Sequence, residues 1–205
     1  MRTNFDAAKK FIAMKRKHDT ESLSGPGSFL ENAGDSIEFL QTIIKQKNVK
    51  TILDLGCGDW NWMSKVDLSA VNYVGWDCDE EMIKSSNEKF GSPSVLFEVK
   101  DIVTSEFPKV DLIICRDVLF HIDMNISVPL VQRIKREKCL FISTTFKNAE
   151  RNTNIKQYTD FSNWGFYEIN LDIYPFGLLT HEIDSRQEKK ISGRSICLYD
   201  FSMER

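Results

Sequence analysis

The sequence predicts an α/β domain: a mostly parallel sheet with its connecting helices on both faces. Three observations predict it. Between residues 49 and 144, apolar runs of strand length alternate with segments of helical periodicity, the pattern of strand–helix–strand units with right-handed crossovers. One run, Val110 to Cys115, is almost continuously apolar, as a strand covered on both faces is. The first run, Thr51-Ile52-Leu53-Asp54-Leu55, ends in Gly56-Cys57-Gly58, where two residues without a Cβ allow left-handed dihedrals and close approach of a ligand. A turn of that kind between strand and helix places a ligand at the carboxyl edge of a sheet.

The bulk composition sets the frame. A chain of 205 residues suits one domain with a full core. We expect a single domain over 1–205, with an N-terminal helical cap over 1–48 and the α/β core over 49–205. Charged residues are 28% and hydrophobic residues 41%, the balance of a soluble globular protein. A net charge of -3 gives no general attraction to phosphate backbones, so a nucleic-acid partner is not favoured. No apolar run is long enough to span a bilayer, and no secretory signal is visible. Lys9 to His18 is basic, with Phe5, Ala8, Phe11 and Ile12 at helical spacing; it reads as an amphipathic capping helix, with a targeting peptide as the alternative. Five scattered cysteines without a Cys-x-x-Cys pair argue against a disulfide framework and a zinc ribbon. A reducing, cytoplasmic setting follows.

Each element can be justified in order. Gly25-Pro26-Gly27-Ser28 is a turn. Ile37, Phe39, Leu40, Ile43 and Ile44 form the apolar face of a helix over 35–47, and the first strand covers 49–55. A second strand, 72–76, ends at Asp77, after which Asp79 can cap a helix to about Lys89. Residues 94–99 read as a third strand, 110–115 as the fourth and 140–144 as the fifth. Residues 128–136 read as a helix with Pro129 in its first turn. Polar residues 147–165 read as a long loop or irregular helix, of the kind that often carries function. Residues 166–170 and 195–201 read as two closing strands, with polar connections at Pro175-Phe176-Gly177 and 187–193.

Three acids fall at successive strand ends: Asp54, Asp77 and Asp101. Any one of them alone can be a solvated turn residue. In series they describe a nucleoside site. Asp77 is about 20 residues past the glycine turn, as an acid that accepts from both ribose hydroxyls must be. Asp101 can accept from an exocyclic amine such as that of adenine, and Asp54 can orient an ammonium group or hold the loop. A dinucleotide fingerprint needs a third glycine where this chain has Asn61, and no Gly-Lys-Ser/Thr follows for a phosphate loop. A short turn with an acid before it and Asp59 after it suits a ligand without phosphate. S-adenosylmethionine is such a ligand.

Asp54-Leu55-Gly56-Cys57-Gly58, Gly75-Trp76-Asp77, Val99-Lys100-Asp101-Ile102 and Asp111-Leu112-Ile113-Ile114-Cys115-Arg116-Asp117-Val118-Leu119 resemble the ordered motifs of class I S-adenosylmethionine-dependent methyltransferases. The resemblance covers about residues 25–145. It implies a Rossmann-like fold with seven strands, the last antiparallel, and S-adenosylmethionine as cofactor with S-adenosylhomocysteine as product. It also implies Gly56 and Gly58 beneath the methionine part, Asp77 on the ribose and Asp101 with Ile102 at the adenine. Cys57 and Arg116 fall within these motifs and, with Asp59 just after the first of them, join the cofactor set. Ser24-Gly25-Pro26-Gly27-Ser28, Cys57-Gly58-Asp59-Trp60-Asn61-Trp62-Met63, Ser143-Thr144-Thr145-Phe146 and the stretches at Asn170-Leu171 and Pro175-Phe176 resemble a small group of these enzymes, some tied to glycan modification.

Methyl transfer to oxygen needs in-line positioning and a base for the hydroxyl proton. His121 is the candidate base because its ordinary pKa lies near neutrality. Asp117, four residues earlier, would share a helical face with it and orient the imidazole, a spacing similar to that in phosphoethanolamine methyltransferases. The alternative is a His121 that packs against the fourth strand and caps the helix. His181 is the reserve base and His18 reads as solvated. No metal is expected, because Ser143-Thr144-Thr145 stands where a metal-assisted site would gather acids. Trp60, Trp62, Tyr158 and Trp164 can wall an acceptor pocket suited to sugar faces, with core packing as the alternative for each. The expected acceptor is a sugar hydroxyl on a glycan or small molecule. A small-molecule N-methyltransferase, a nucleic-acid methyltransferase and a non-catalytic cofactor-binding module are the rival readings.

Overall fold

The structure is a computed structural model and describes residues 21–152 and 167–202. They fall into two compact units, one running to Ile114 and the other from Cys115. Seven strands form a sheet in the order β3-β2-β1-β4-β5-β7-β6, where β1 is Thr51–Leu55, β2 Asn72–Asp77, β3 Val95–Val99, β4 Leu112–Cys115, β5 Leu140–Phe146, β6 Glu182–Gln187 and β7 Arg194–Asp200. β1 pairs in parallel with β2 and β4, and β2 with β3. β7 runs antiparallel to β5 and β6. This is the expected seven-stranded Rossmann-like architecture.

In the first unit, helix α1 (Leu30–Gln46) buries Ala33, Ser36, Phe39, Leu40, Ile43 and Ile44, a stripe with the three- and four-residue spacing of one helical face. Ile52, Leu53 and Leu55 of β1 are completely buried. Helix α2 (Glu80–Phe90) starts where expected: Asp79 accepts from the N–H groups of Glu81 and Met82, supplying partners to two of the orphan donors of a helix start. Asp111 accepts from the N–H groups of Lys50 and Thr51 and from the Thr51 hydroxyl, each at 2.9 Å, which fixes where β1 begins beside β4.

In the second unit, helix α3 (Met124–Arg136) buries Ser127, Leu130, Val131 and Ile134, and Phe141, Ile142, Ile196, Leu198, Tyr199 and Phe201 form a core. Two expectations are corrected here. The helix begins at Met124, not Val128, because Asp123 caps it by accepting from Asn125 N at 2.7 Å, and Pro129 lies inside the helix. The closing strand expected over 195–201 is β7, one residue earlier at each end, but its antiparallel edge partner is β6 at Glu182–Gln187 rather than 166–170. The described part of the first stretch, residues 167–170, is irregular: Phe146 N–H donates to Ile169 O and Leu171 N–H to Thr145 Oγ1. β6 has no apolar alternation for a sequence reading to detect. Its Glu-Ile-Asp-Ser-Arg-Gln backbone instead pairs with the deeply buried β7.

Among the described residues, no helix is long and apolar enough to cross a membrane. All five cysteines are free.

Candidate active site

The glycine turn follows β1 and is stitched to the end of β2. Gly56 and Cys57 donate their N–H groups to Trp76 O at 2.8 and 3.0 Å. Gly58 donates to Asp77 Oδ2 at 3.0 Å, while Asp79 donates to Asp77 Oδ1 at 3.1 Å. One carboxylate thus ties the glycine turn to the start of α2. Each of its oxygens keeps a further lone pair for a hydroxyl donor. Burial pushes the Asp77 carboxyl up from its ordinary value, against the lowering effect of these backbone hydrogen bonds.

Gly56 and Gly58 have φ of 80° and 59°, the left-handed region that glycine enters without steric cost. At Gly58 the fit is tight as well, since a Cβ there would lie 2.1 Å from Ser24 Oγ. A further glycine, Gly75 on β2, is needed for packing. A Cβ at that position would sit 2.9 Å from both Cβ and Sγ of Cys57. The Cys57 side chain is buried there, and burial next to Asp77 and Asp54 raises its pKa well above the ordinary thiol value.

The remaining acids divide the work differently from one another. Asp54 is 3% exposed and accepts from the hydroxyl of Tyr73 on β2 at 2.7 Å. Asp59 accepts from Ser22 Oγ, Leu23 N and Ser24 Oγ at 2.9, 2.6 and 3.0 Å, and Ser24 Oγ accepts in return from Asp59 N at 2.9 Å. It is a latch for the segment that leads into Gly25-Pro26-Gly27. Asn61 adds to the latch by donating to Glu21 and to Ser28 O. Asp101 accepts from Val103 N and Thr104 Oγ1 at 2.9 and 3.0 Å, closing a turn that contains Ile102.

Trp60 and Trp62 are 8% and 6% exposed. Trp60 takes φ of 61° and packs its indole among Tyr73, Phe90 and Phe97. The expectation that these two rings wall a pocket is corrected to core packing. Tyr158, Trp164 and His18 lie outside the described residues.

In the second unit, Asp117 does not share a helical face with His121. Its φ is 57°, and only Leu119–His121 form a short 3₁₀ turn. The helical-spacing expectation therefore fails at its first residue. Asp117 N donates to Thr144 Oγ1 at 3.0 Å. Its Oδ2 instead receives Nη1 of Arg116 and Nη1 of Arg194, each at 2.9 Å. Burial pushes the Asp117 carboxyl up, but the two guanidiniums, hydrogen bonding by Thr144 and the charge of His121 together hold it below its ordinary value. Arg116 also meets Glu188 Oε1 at 3.1 Å, and Arg194 Nε pairs with Glu188 Oε2. Arg116 is thus engaged in this ring. His121 is half-buried, edge-on to Phe120, and its turn is pinned where Tyr167 N donates to Phe120 O and Tyr167 Oη to Ile122 O. The reserve base His181 packs edge-on to Phe201.

Sequence reasoning missed Glu188 and Arg194. Glu188 sits in a run of charges, Glu188-Lys189-Lys190, that reads as solvated; no local signal marks it as buried. It also left the roles of Ser143, Thr144 and Thr145 open. Ser143 Oγ donates to Cys115 O at 2.8 Å, Thr144 Oγ1 holds Asp117, and Thr145 Oγ1 bridges Ile169 O and Leu171 N.

Comparison with known families gives a match over residues 52–137 to the sequence model described as a methyltransferase domain. Among solved structures, the chain is similar to the N-methyltransferase NodS from Bradyrhizobium japonicum WM9 in complex with S-adenosyl-L-homocysteine. The TM-score is 0.67 at 13% identity, over 93% of this chain and 96% of that one. It is also similar to magnesium protoporphyrin IX methyltransferase from Synechocystis PCC 6803 with bound S-adenosyl-L-homocysteine, with a TM-score of 0.64 at 13% identity over 97% and 94% of the two chains. An O-methyltransferase family protein from Burkholderia thailandensis gives 0.61 at 13% identity, over 82% and 55%. Identities this low show the fold alone. The curated proteins gave no match. Two of these three structures contain S-adenosyl-L-homocysteine.

Proposed function

We propose that this methyltransferase moves the methyl group of S-adenosylmethionine onto a sugar hydroxyl, on a glycan or a small acceptor. In the proposal the ribose hydroxyls donate to Asp77, Gly56 and Gly58 lie beneath the methionine part, and Asp101 with Ile102 borders the adenine. Residues 1–205 act as one catalytic domain, in the reducing cytoplasm that suits five free thiols.

The acceptor oxygen attacks the methyl carbon, the carbon–sulfur bond breaks, S-adenosylhomocysteine leaves, and the hydroxyl proton passes to His121. The observation that carries this reading is the Asp117 carboxylate, kept ionised between two guanidiniums and held lower still by the charge of His121. An anion there stabilises the imidazolium formed when His121 takes the proton. The sugar class is supported by the motif resemblance at Ser24 to Ser28 and Cys57 to Met63 to enzymes tied to glycan modification.

The test is transfer of labelled methyl from S-adenosylmethionine to a panel of monosaccharides, glycans, amines and RNA. Label on a carbohydrate hydroxyl is the expected result. Label confined to amines or RNA would overturn the sugar reading and favour an N-directed or nucleic-acid enzyme.

A further inference from the structure

Four charged side chains close a ring in the second unit. Arg116, Glu188 and Arg194 are 5%, 1% and 3% exposed, and Asp117 completes the set. Each carboxylate meets both guanidiniums: Asp117 Oδ2 binds Arg116 Nη1 and Arg194 Nη1, while Glu188 binds Arg116 Nη2 and Arg194 Nε. The ring balances two positive charges with two negative ones, which is what permits it to be buried.

Three features go beyond what burial alone requires. Asp117 is held at φ of 57°, a region that a side-chain-bearing residue keeps only where its surroundings over-determine it. Both ends of that residue are fixed, by Thr144 Oγ1 on its N–H and by the guanidiniums on its carboxylate. The ring is also incomplete: Asp117 Oδ1 and Arg194 Nη2 are buried and, among the described residues, have no hydrogen-bond partner. A ring built only for stability would satisfy those atoms.

We propose that Glu188 and Arg194 are positioning residues for methyl transfer, fixing the Asp117 carboxylate and the turn that leads from it to His121. Glu188 acts through the arginines: it holds both guanidiniums so that they converge on one oxygen of Asp117. Arg194, on the first residue of β7, transmits the position of the sheet to the same oxygen. Thr144 on β5 sets the backbone, and the charge of His121 also acts on Asp117. This role rests on the assignment of Asp117 and His121 to the reaction given above.

The experiment uses the full chain with Glu188→Gln, Glu188→Asp and Arg194→Lys. Carbon-13 NMR of the aspartate side chains follows the Asp117 titration, calorimetry follows S-adenosylhomocysteine binding, and methyl transfer is read on the methyl glycosides of glucose, galactose, mannose and rhamnose. In Arg194→Lys, which loses the guanidinium contact, the proton affinity of Asp117 should rise about tenfold, whereas Glu188→Gln, which removes a negative charge from the ring, should lower it. The turnover number should fall about tenfold with the donor KM unchanged, and Glu188→Asp should recover part of both. S-adenosylhomocysteine affinity should stay within about twofold of wild type. An Asp117 titration that stays in place in both variants overturns the proposal, as does turnover that falls only in step with the folded fraction. If Glu188→Gln does not fold, Arg194→Lys, which preserves the charge, decides alone. If wild type binds S-adenosylhomocysteine but methylates none of the glycosides, the sugar reading fails, and the Asp117 titration still decides the positioning role.

Discussion

Replacing Gly58 by alanine probes the glycine turn at its tightest point. Gly58 has φ of 59°, and the new Cβ would lie 2.1 Å from Ser24 Oγ and 3.0 Å from Ser24 Cβ. Left-handed dihedrals cost an L-residue about 1–2 kcal/mol. The hydroxyl cannot remain where it is, so its two hydrogen bonds with Asp59, at 3.0 and 2.9 Å, are lost. Each such bond contributes about 0.5–1.5 kcal/mol, giving a total near 3 kcal/mol. For a chain of this size that lowers the unfolding midpoint by about 6–12 °C. Gly34 is the control: it lies inside α1 with nothing within 4 Å of an added Cβ. Gly34→Ala should stabilise by about 0.5–1 kcal/mol. Thermal unfolding of both variants reads the contrast directly. If Gly58→Ala melts with the wild type, the turn is not packed against Ser24 and the reasoning fails.

Other outcomes follow from the same geometry. Asp59→Ala removes the acceptor of Ser22, Leu23 and Ser24; amide exchange at residues 22–24 should speed up by at least about tenfold, local opening being about 1.4 kcal/mol easier per decade. Thr145→Val leaves Leu171 N–H buried without its acceptor and should cost about 1–3 kcal/mol, read by urea unfolding. The raised Asp77 pKa means that its carboxylate takes up a proton above the ordinary aspartate value of about 3.9. S-adenosylhomocysteine affinity should therefore weaken on acidification before ordinary carboxyls titrate. Asp117 has the opposite sign: its pKa is lowered, so its stabilising contribution is complete above about 3.9 and disappears only as pH falls through the lower folded value. Asp117→Asn should flatten the stability profile in that acid window.

What the sequence made legible was the local chemistry. Gly56 and Gly58 declare themselves because only a residue without Cβ adopts such dihedrals cheaply. Asp79 reads as a helix cap because its acceptor is needed by the next turn alone. β1, β2 and β4 carry strand-length apolar runs, and their positions are close to those expected. Partnerships across long separations were not legible. Glu188 is 72 residues from Arg116 and looks solvated beside two lysines, while β6 takes its strand character from β7. Asp59 resembles a ligand contact in sequence, yet its partners are Ser22 to Ser24, 35 to 37 residues earlier. Asp117 and His121 are four apart, but a left-handed residue removes the helix on which that spacing depends.

The proposed donor site is the glycine turn together with Asp77. Calorimetric titration of S-adenosylhomocysteine into wild type and Asp77→Ala tests it most directly. We expect one-to-one binding to wild type, weakened by at least about 2 kcal/mol, roughly thirtyfold, in the variant as a charged hydrogen-bond acceptor is lost. Equal affinity in the two proteins would contradict it.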